Sequence, residues 1–524
     1  MALRQGLKKG LGALSSVPLV IGIVVVINLL ALAFFFRIDL TSSRLYSLSD
    51  ASKRLARSLN DPVVVKLYFS DDLPAPYNAN ARYLKDQLYE YRAYSGGQLR
   101  FEFIDPVRQE REDEAQAAGI PPVQVNVYEK DKIESKKVYM GVVFLYEDKR
   151  EVLPVVQSTA NLEYEISSSI QKITSNVVMK VGILGGHGEA GPDKLRNAGQ
   201  VLSKLYEINP VDIKPGSLID STLSAVLIIG PTDSVKPWDQ YAIDQYLMRG
   251  GKLAVFYDPV SVDLQTQTAT DRKTNWPAFL AQYGVRVQPG LVIDARNARI
   301  SVVQQQGYIR MQNVVEYPFL PQVFKFNKNT LIGKGLQGVD FPFVSPVDSA
   351  LAESLGLEFQ PICWSSEHSG VRRAPYYLNP TQEFRREDFN QPNQVLAGAI
   401  QGVFTSAFPS GPPPDSAVSS AVVPLAIKQS LPTRLVVVGD GEFCTDQSIR
   451  NPSNATLFLN IADWLTQEEG LITIRSREVT SRPLDEVADG TRRAVKYANI
   501  FGPPLLVIAF GLVRWQARRR AKQN

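Results

Sequence analysis

Thiols and imidazoles are nearly absent from this chain: 524 residues hold two cysteines, Cys363 and Cys444, and two histidines, His187 and His368. Two cysteines in so long a chain exclude a disulfide framework. They can form one bridge in an oxidising compartment or stand as two separate buried thiols. A hydrolase triad needs a histidine beside its nucleophile, and neither histidine comes with a GxSxG elbow. The phosphate-cradling GxxxxGK[ST] and dinucleotide GxGxxG patterns are also missing, so nucleotide binding is unsupported and no cofactor is expected. An excess of basic charge is lacking too. The formal +4 rests on Arg4, Lys8, Lys9, Arg514, Arg518, Arg519, Arg520 and Lys522 at the two ends. Removing these eight of the 57 basic residues leaves 49 against 53 acidic ones, which gives no electrostatic case for nucleic acid.

Long apolar runs are present at both ends. Residues 17–36 read VPLVIGIVVVINLLALAFFF, with Asn28 the lone polar residue, about the length of a spanning helix. The run lacks a small-residue cleavage site, so it reads as a retained anchor. Residues 497–513, YANIFGPPLLVIAFGLV, form a second candidate span, interrupted by Pro503-Pro504. Basic flanks mark the cytoplasmic side. The expectation is therefore an inner-membrane protein with cytoplasmic tails at 1–16 and 514–524 and a periplasmic body between the anchors. Asn28, Pro503 and Pro504 are the candidate contacts with a membrane partner.

The body is too long for one core. Residues 37–158 give helix, strand, helix, strand, a short acidic helix and two strands, the order of a thioredoxin-like domain. Ser49 or Asp50 is expected to cap the first helix, which ends near Asn60. Gly119-Ile120-Pro121-Pro122 resembles a cis-proline turn. The stretch Asp71-Asp72-Leu73-Pro74-Ala75-Pro76-Tyr77, where CxxC would stand, has no cysteine, which excludes thiol-disulfide exchange here.

Residues 159–260 and 431–474 carry uniformly apolar strand segments alternating with helical ones, the pattern of a doubly wound α/β domain. Gly250-Gly251 closes one of its helices. Residues 261–430 form a β-rich insertion with a Pro-rich loop at 409–415, and 475–496 read as a polar tether. The strand segments end in GGHGE, GPTD, DP and GDGE. In an open sheet such ends line the ligand crevice. His187, Glu189, Asp258, Asp440, Glu442 and Asp446 are thus the candidate binding residues, with oxygen donors suited to a cation or a polar ligand. The same residue types also make turns and helix caps.

In order, RIDLTSSRLYSLS, VKLYFSDDLP, ILGGHGE, LMRGGKLAVFYDP and VVVGDGEF resemble the auxiliary proteins of gliding-motility-type ABC transporters, the GldG-like family. The resemblance covers nearly the whole chain. It implies an amidotransferase-like (flavodoxin-like) core, of a kind also found in intraflagellar transport proteins, and an ABC permease and a cytoplasmic ABC ATPase as partners. It supplies no substrate and no catalytic residue. The core also lacks an elbow cysteine before Cys363, which a glutamine amidotransferase would need. The expected role is a non-enzymatic accessory subunit that binds cargo, cell-wall polymer or another envelope protein. The competing role is an anchored hydrolase or metal-dependent enzyme working through the acidic crevice.

Overall fold

A computed structural model of the chain describes residues 47–75, 77–129, 132–156, 158–159, 162–175, 179–306, 309–413, 425–466, 469–477 and 489–521. The chain divides into two compact units, Met1–Val479 and Thr480–Asn524. The described residues form a mixed α/β protein with seven sheets.

The first unit begins with α1 (Asp50–Arg57), capped by Ser49, whose Oγ accepts from the amide of Ser52 at 3.0 Å. A four-stranded sheet follows in the order β2-β1-β5-β6, from β1 (Val63–Phe69), β2 (Leu99–Ile104), β5 (Met140–Tyr146) and β6 (Lys149–Leu153). The helices α2 (Tyr77–Tyr94), α3 (Glu112–Ala117) and α4 (Leu162–Thr174) complete this region. The expected thioredoxin-like order is corrected at the last two strands. β3 (Val123–Glu129) and β4 (Lys132–Val138) pair with each other in a separate hairpin. The run KVYMGVVFLYE breaks at Tyr139, because the Tyr139 amide donates to Ser70 Oγ at 3.0 Å and its carbonyl accepts from the Ser70 amide at 3.1 Å. The anticipated cis-proline turn is also corrected. Among the described residues the cis bond is Ala374–Pro375, and Pro121 and Pro122 follow trans bonds.

The larger sheet has eight strands in the order β17-β20-β23-β24-β10-β9-β7-β8. Its parallel part comprises β7 (Lys180–Gly185), β8 (Glu207–Asp212), β9 (Ala225–Ile229), β10 (Leu253–Phe256) and β24 (Thr433–Val438). Numbered by appearance, these strands lie 2-1-3-4-5, so the order reverses between β7 and β9. In open sheets the ligand crevice lies at such a reversal, at the carboxyl ends of the strands. The apolar runs are explained by two-sided burial. Leu227 and Ile229 of β9 face α5 (Arg196–Ser203) and α8 (Pro452–Thr466), whereas Val226 and Ile228 face α6 (Pro237–Met248) and α7 (Trp276–Ala281). Each such side chain contributes about 1.5–3 kcal/mol by burial.

Between β10 and β24 the chain forms β11 (Val260–Asp263), β12 (Thr268–Asp271), β13 (Arg286–Val287), β14 (Leu291–Asp294) and the long hairpin of β15 (Asn297–Gln306) with β16 (Ile309–Val323). It continues through β17 (Lys325–Phe326), β18 (Val339–Asp340), β19 (Val347–Asp348), β20 (Glu358–Trp364), β21 (Ser369–Arg372), β22 (Tyr376–Tyr377) and β23 (Val395–Gly402). Three of these strands, β17, β20 and β23, add antiparallel to the edge of the main sheet. After α8, helix α9 (Glu469–Arg477) packs on α4 and α1 through Leu471, Ile474, Tyr164 and Ala51. Arg475, expected at the start of a polar tether, is buried and pairs with Asp463 at 2.8 Å.

In the second unit, the described element is the helix α10 (Asp489–Ala521). No helix among the described residues is long and apolar enough to cross a membrane, which overturns the expected second anchor at 497–513 and, with it, the two-anchor inner-membrane placement. The apolar part of α10, residues 497–513, contains Asn499 and the Pro503-Pro504 pair. That apolar run is 17 residues long, at the lower limit of spanning length. Residues 17–36, and Asn28 with them, lie outside the described residues.

Candidate functional site

The sequence places six residues at one crevice, and the fold sorts them into three separate arrangements. The first lies at the reversal between β7 and β9. Gly186 (φ +111°) and Gly188 (φ +76°) turn the chain after β7 so that His187 points inward and is buried. Its Nδ1 is 3.0 Å from Glu189 Oε1 and its Nε2 is 2.9 Å from Asp239 Oδ2. The other Glu189 oxygen accepts from the His187 amide at 2.6 Å, and the His187 carbonyl accepts from the amides of Thr232 and Asp233 at 3.0 and 2.9 Å. Burial pulls the imidazole pKa down, but hydrogen bonds to Glu189 and Asp239 outweigh it, so the ring holds its proton above the usual pH. When protonated, the ring donates from both nitrogens to carboxylates and has no lone pair left to take a proton or bind a metal.

The second arrangement joins the ends of β10 and β24. Asp258 Oδ1 accepts from the Gly441 amide at 2.8 Å. Asp440 is fully buried; its Oδ1 accepts from the amides of Glu442 and Phe443 at 2.6 and 2.9 Å, and its Oδ2 has no hydrogen-bond partner. Burial pushes the Asp258 carboxyl up to about 7. Burial and the neighbouring Asp258 charge push Asp440 well above the usual carboxylate range. The pair therefore retains a proton near neutrality. Glu442 itself is exposed, toward Lys194 and Arg272. Gly441 is required here: an added Cβ would lie 2.6 Å from Asp258 Oδ2 and 2.7 Å from Gly230 Cα.

Asp446 makes the third arrangement. Its Oδ1 accepts from the Asn197 amide at 2.6 Å, and its own amide donates to the Lys194 carbonyl at 2.8 Å, so it caps the start of α5. The six residues thus do not converge on one point. Among the described residues no group of three or more His, Cys, Asp or Glu side chains is placed to hold a metal ion.

The loops over the sheet are also tied to one another. The amides of Ala190, Gly230 and Tyr257 donate to the carbonyls of Ile229, Phe256 and Val438 at 2.9, 2.8 and 2.9 Å. Cys363 on β20 and Cys444 after β24 are free, buried thiols, so the possible disulfide is not formed. Burial raises both thiol pKa values, which keeps the sulfurs protonated and unreactive. His368, the remaining histidine, is exposed in the turn between β20 and β21.

Sequence reasoning missed Asp239. It lies 52 residues from His187, and its signal was an acidic residue in the first turn of a helix opened by Pro237. Asp244 was missed as well. This buried carboxylate accepts from Tyr283 OH, Ser406 Oγ, the Ala407 amide and Gln245 Nε2 at 2.7–2.9 Å, pinning the chain after β23 to α6.

Residues 179–467 match a family described as an ABC-type uncharacterized transport system, and the chain belongs to that family. Residues 42–145 match a domain of unknown function. An uncharacterized protein of Borreliella burgdorferi (strain ATCC 35210 / DSM 4680 / CIP 102532 / B31) is 23% identical over 506 residues, covering 93% of this chain and 94% of its own. Among solved structures, the mmIFT52 N-terminal domain aligns at 13% identity with a TM-score of 0.33, over 55% of this chain and 97% of that one. Family membership gives the chain an accessory part in a transport system.

Proposed function

We propose that this chain is a non-catalytic subunit that binds a cargo or a protein partner and contacts both the permease and the separate ATPase of its transport system. The observation that carries the non-catalytic part is His187, held by Glu189 on one nitrogen and Asp239 on the other. A general base at that position needs a free nitrogen facing a ligand, and this ring is a latch between its own loop and the first turn of α6. The chain also lacks a nucleotide-binding motif, so a coupling to ATP runs through a partner. Affinity capture of the tagged full chain from a mild-detergent extract of its own cells, read by mass spectrometry, tests the reading. Permease and ATPase subunits in the eluate support it, and a chain recovered without either one sinks it.

A further inference from the structure

A cavity of about 510 Å³ lies where α4, α9 and the edge strand β8 meet β6, within the range of small-molecule sites. Its floor is apolar: Ile173, Tyr206 and Leu471 are buried, and Met179 and Leu205 are partly so. Its rim is charged. Lys172 is neutralised by Glu151 at 2.9 Å, and Glu207 faces Lys180 at 3.7 Å. Lys149 and Arg150 remain. Lys149 donates to the Ser175 carbonyl at 3.0 Å, Arg150 is exposed, and among the described residues neither has a carboxylate partner. An apolar floor under two uncompensated cations is complementary to a molecule with a hydrocarbon tail and one anionic head.

We infer that this cavity binds an anionic amphiphile, with its chain against Ile173, Met179, Leu205 and Leu471 and its head at Lys149 and Arg150. The tail gains by leaving water, and the head replaces hydration with the two cations at the rim.

Titration calorimetry of the full chain, below micelle concentrations, with decanoate and with decyltrimethylammonium as probes, tests it. One decanoate is expected per chain, bound at least about tenfold tighter than the cationic probe of equal tail length. Arg150→Gln, at an exposed position, is expected to weaken decanoate several-fold and leave the cationic probe unchanged. Met179→Trp, which fills the cavity, is expected to abolish decanoate binding. Absence of saturable decanoate binding, equal affinity for the two probes, or full affinity in Arg150→Gln overturns the proposal. Because Arg150→Gln perturbs only the surface, this last comparison holds even if Met179→Trp does not fold.

Discussion

His187 Nε2 lies 2.9 Å from Asp239 Oδ2, joining the loop after β7 to the first turn of α6 across the point where the strand order reverses. Glu189 holds the other nitrogen, so the protonated ring balances one of two buried carboxylates and hydrogen-bonds to both. Ligand crevices of open sheets lie at this position, and here it is occupied by a protein-internal latch.

The latch has a pH signature. Because the folded-state pKa of His187 is raised, its stabilisation is fully present below the ordinary histidine value near 6.5 and is lost as pH rises through the folded value. The amides of Thr232 and Asp233, which donate to the His187 carbonyl, are expected to exchange faster at pH 9 than at pH 6 after correction for intrinsic rates. In His187→Gln that difference disappears. Protection independent of pH in the parent chain contradicts the assignment.

The coupled carboxyls of half-buried Asp258 and buried Asp440 predict a slope that runs through lower pH. Carboxyl groups with raised folded-state pKa values stabilise when protonated, and this contribution is lost as pH rises from about 4 toward the folded value of about 7 for Asp258. Asp440→Asn, which keeps the shape and cannot ionise, is expected to gain stability relative to the parent between pH 5 and pH 8. The gain is at most about 1.4 kcal/mol per pH unit. Urea melts at four pH values measure it, and a difference that does not vary with pH contradicts it.

Asp463 and Arg475 form a buried pair, with the guanidinium also over the Tyr164 ring at 4.3 Å. Arg475→Met leaves the Asp463 carboxylate buried with Tyr206 as its remaining polar support, at an expected cost of about 3–5 kcal/mol. The double variant Arg475→Met/Asp463→Leu is expected to recover much of that loss, because neither charge is then stranded. Additive losses in chemical denaturation would show that the pair is not coupled.

Gly188 has φ +76°, and an added Cβ would collide with Thr232 Oγ1. Gly188→Ala is expected to cost about 1–3 kcal/mol from backbone strain alone, and Thr232→Ala in the same chain to return only the steric part. Thermal melts of the two variants separate strain from collision. A neutral Gly188→Ala places the turn in another conformation.

The central strands were legible because two-sided burial writes them as continuous apolar runs: AVLII, LAVF and LVVV need no partner to be recognised. Gly250, at φ +85°, marked the end of α6 for the same local reason. Pairings between distant segments were not legible. Nothing in LEFQPICW distinguishes a strand of the main sheet from a strand of a separate insertion, since that choice is made by its contact with β23. Likewise GDGE and GGHGE announced polar loops, but whether their acids face a ligand or each other is set by backbone amides brought in by the fold. Arg475 looked like the start of a solvated tether, and its burial follows from Asp463, twelve residues earlier on another helix.

The most direct test of the account is in-cell crosslinking of the full chain followed by denaturing purification and mass spectrometry. The account predicts crosslinks from exposed positions of the folded body to a transporter permease and its ATPase, retained in His187→Gln as long as that variant folds. Absence of both partners, together with a chemical turnover that His187→Gln abolishes without unfolding the chain, would contradict it.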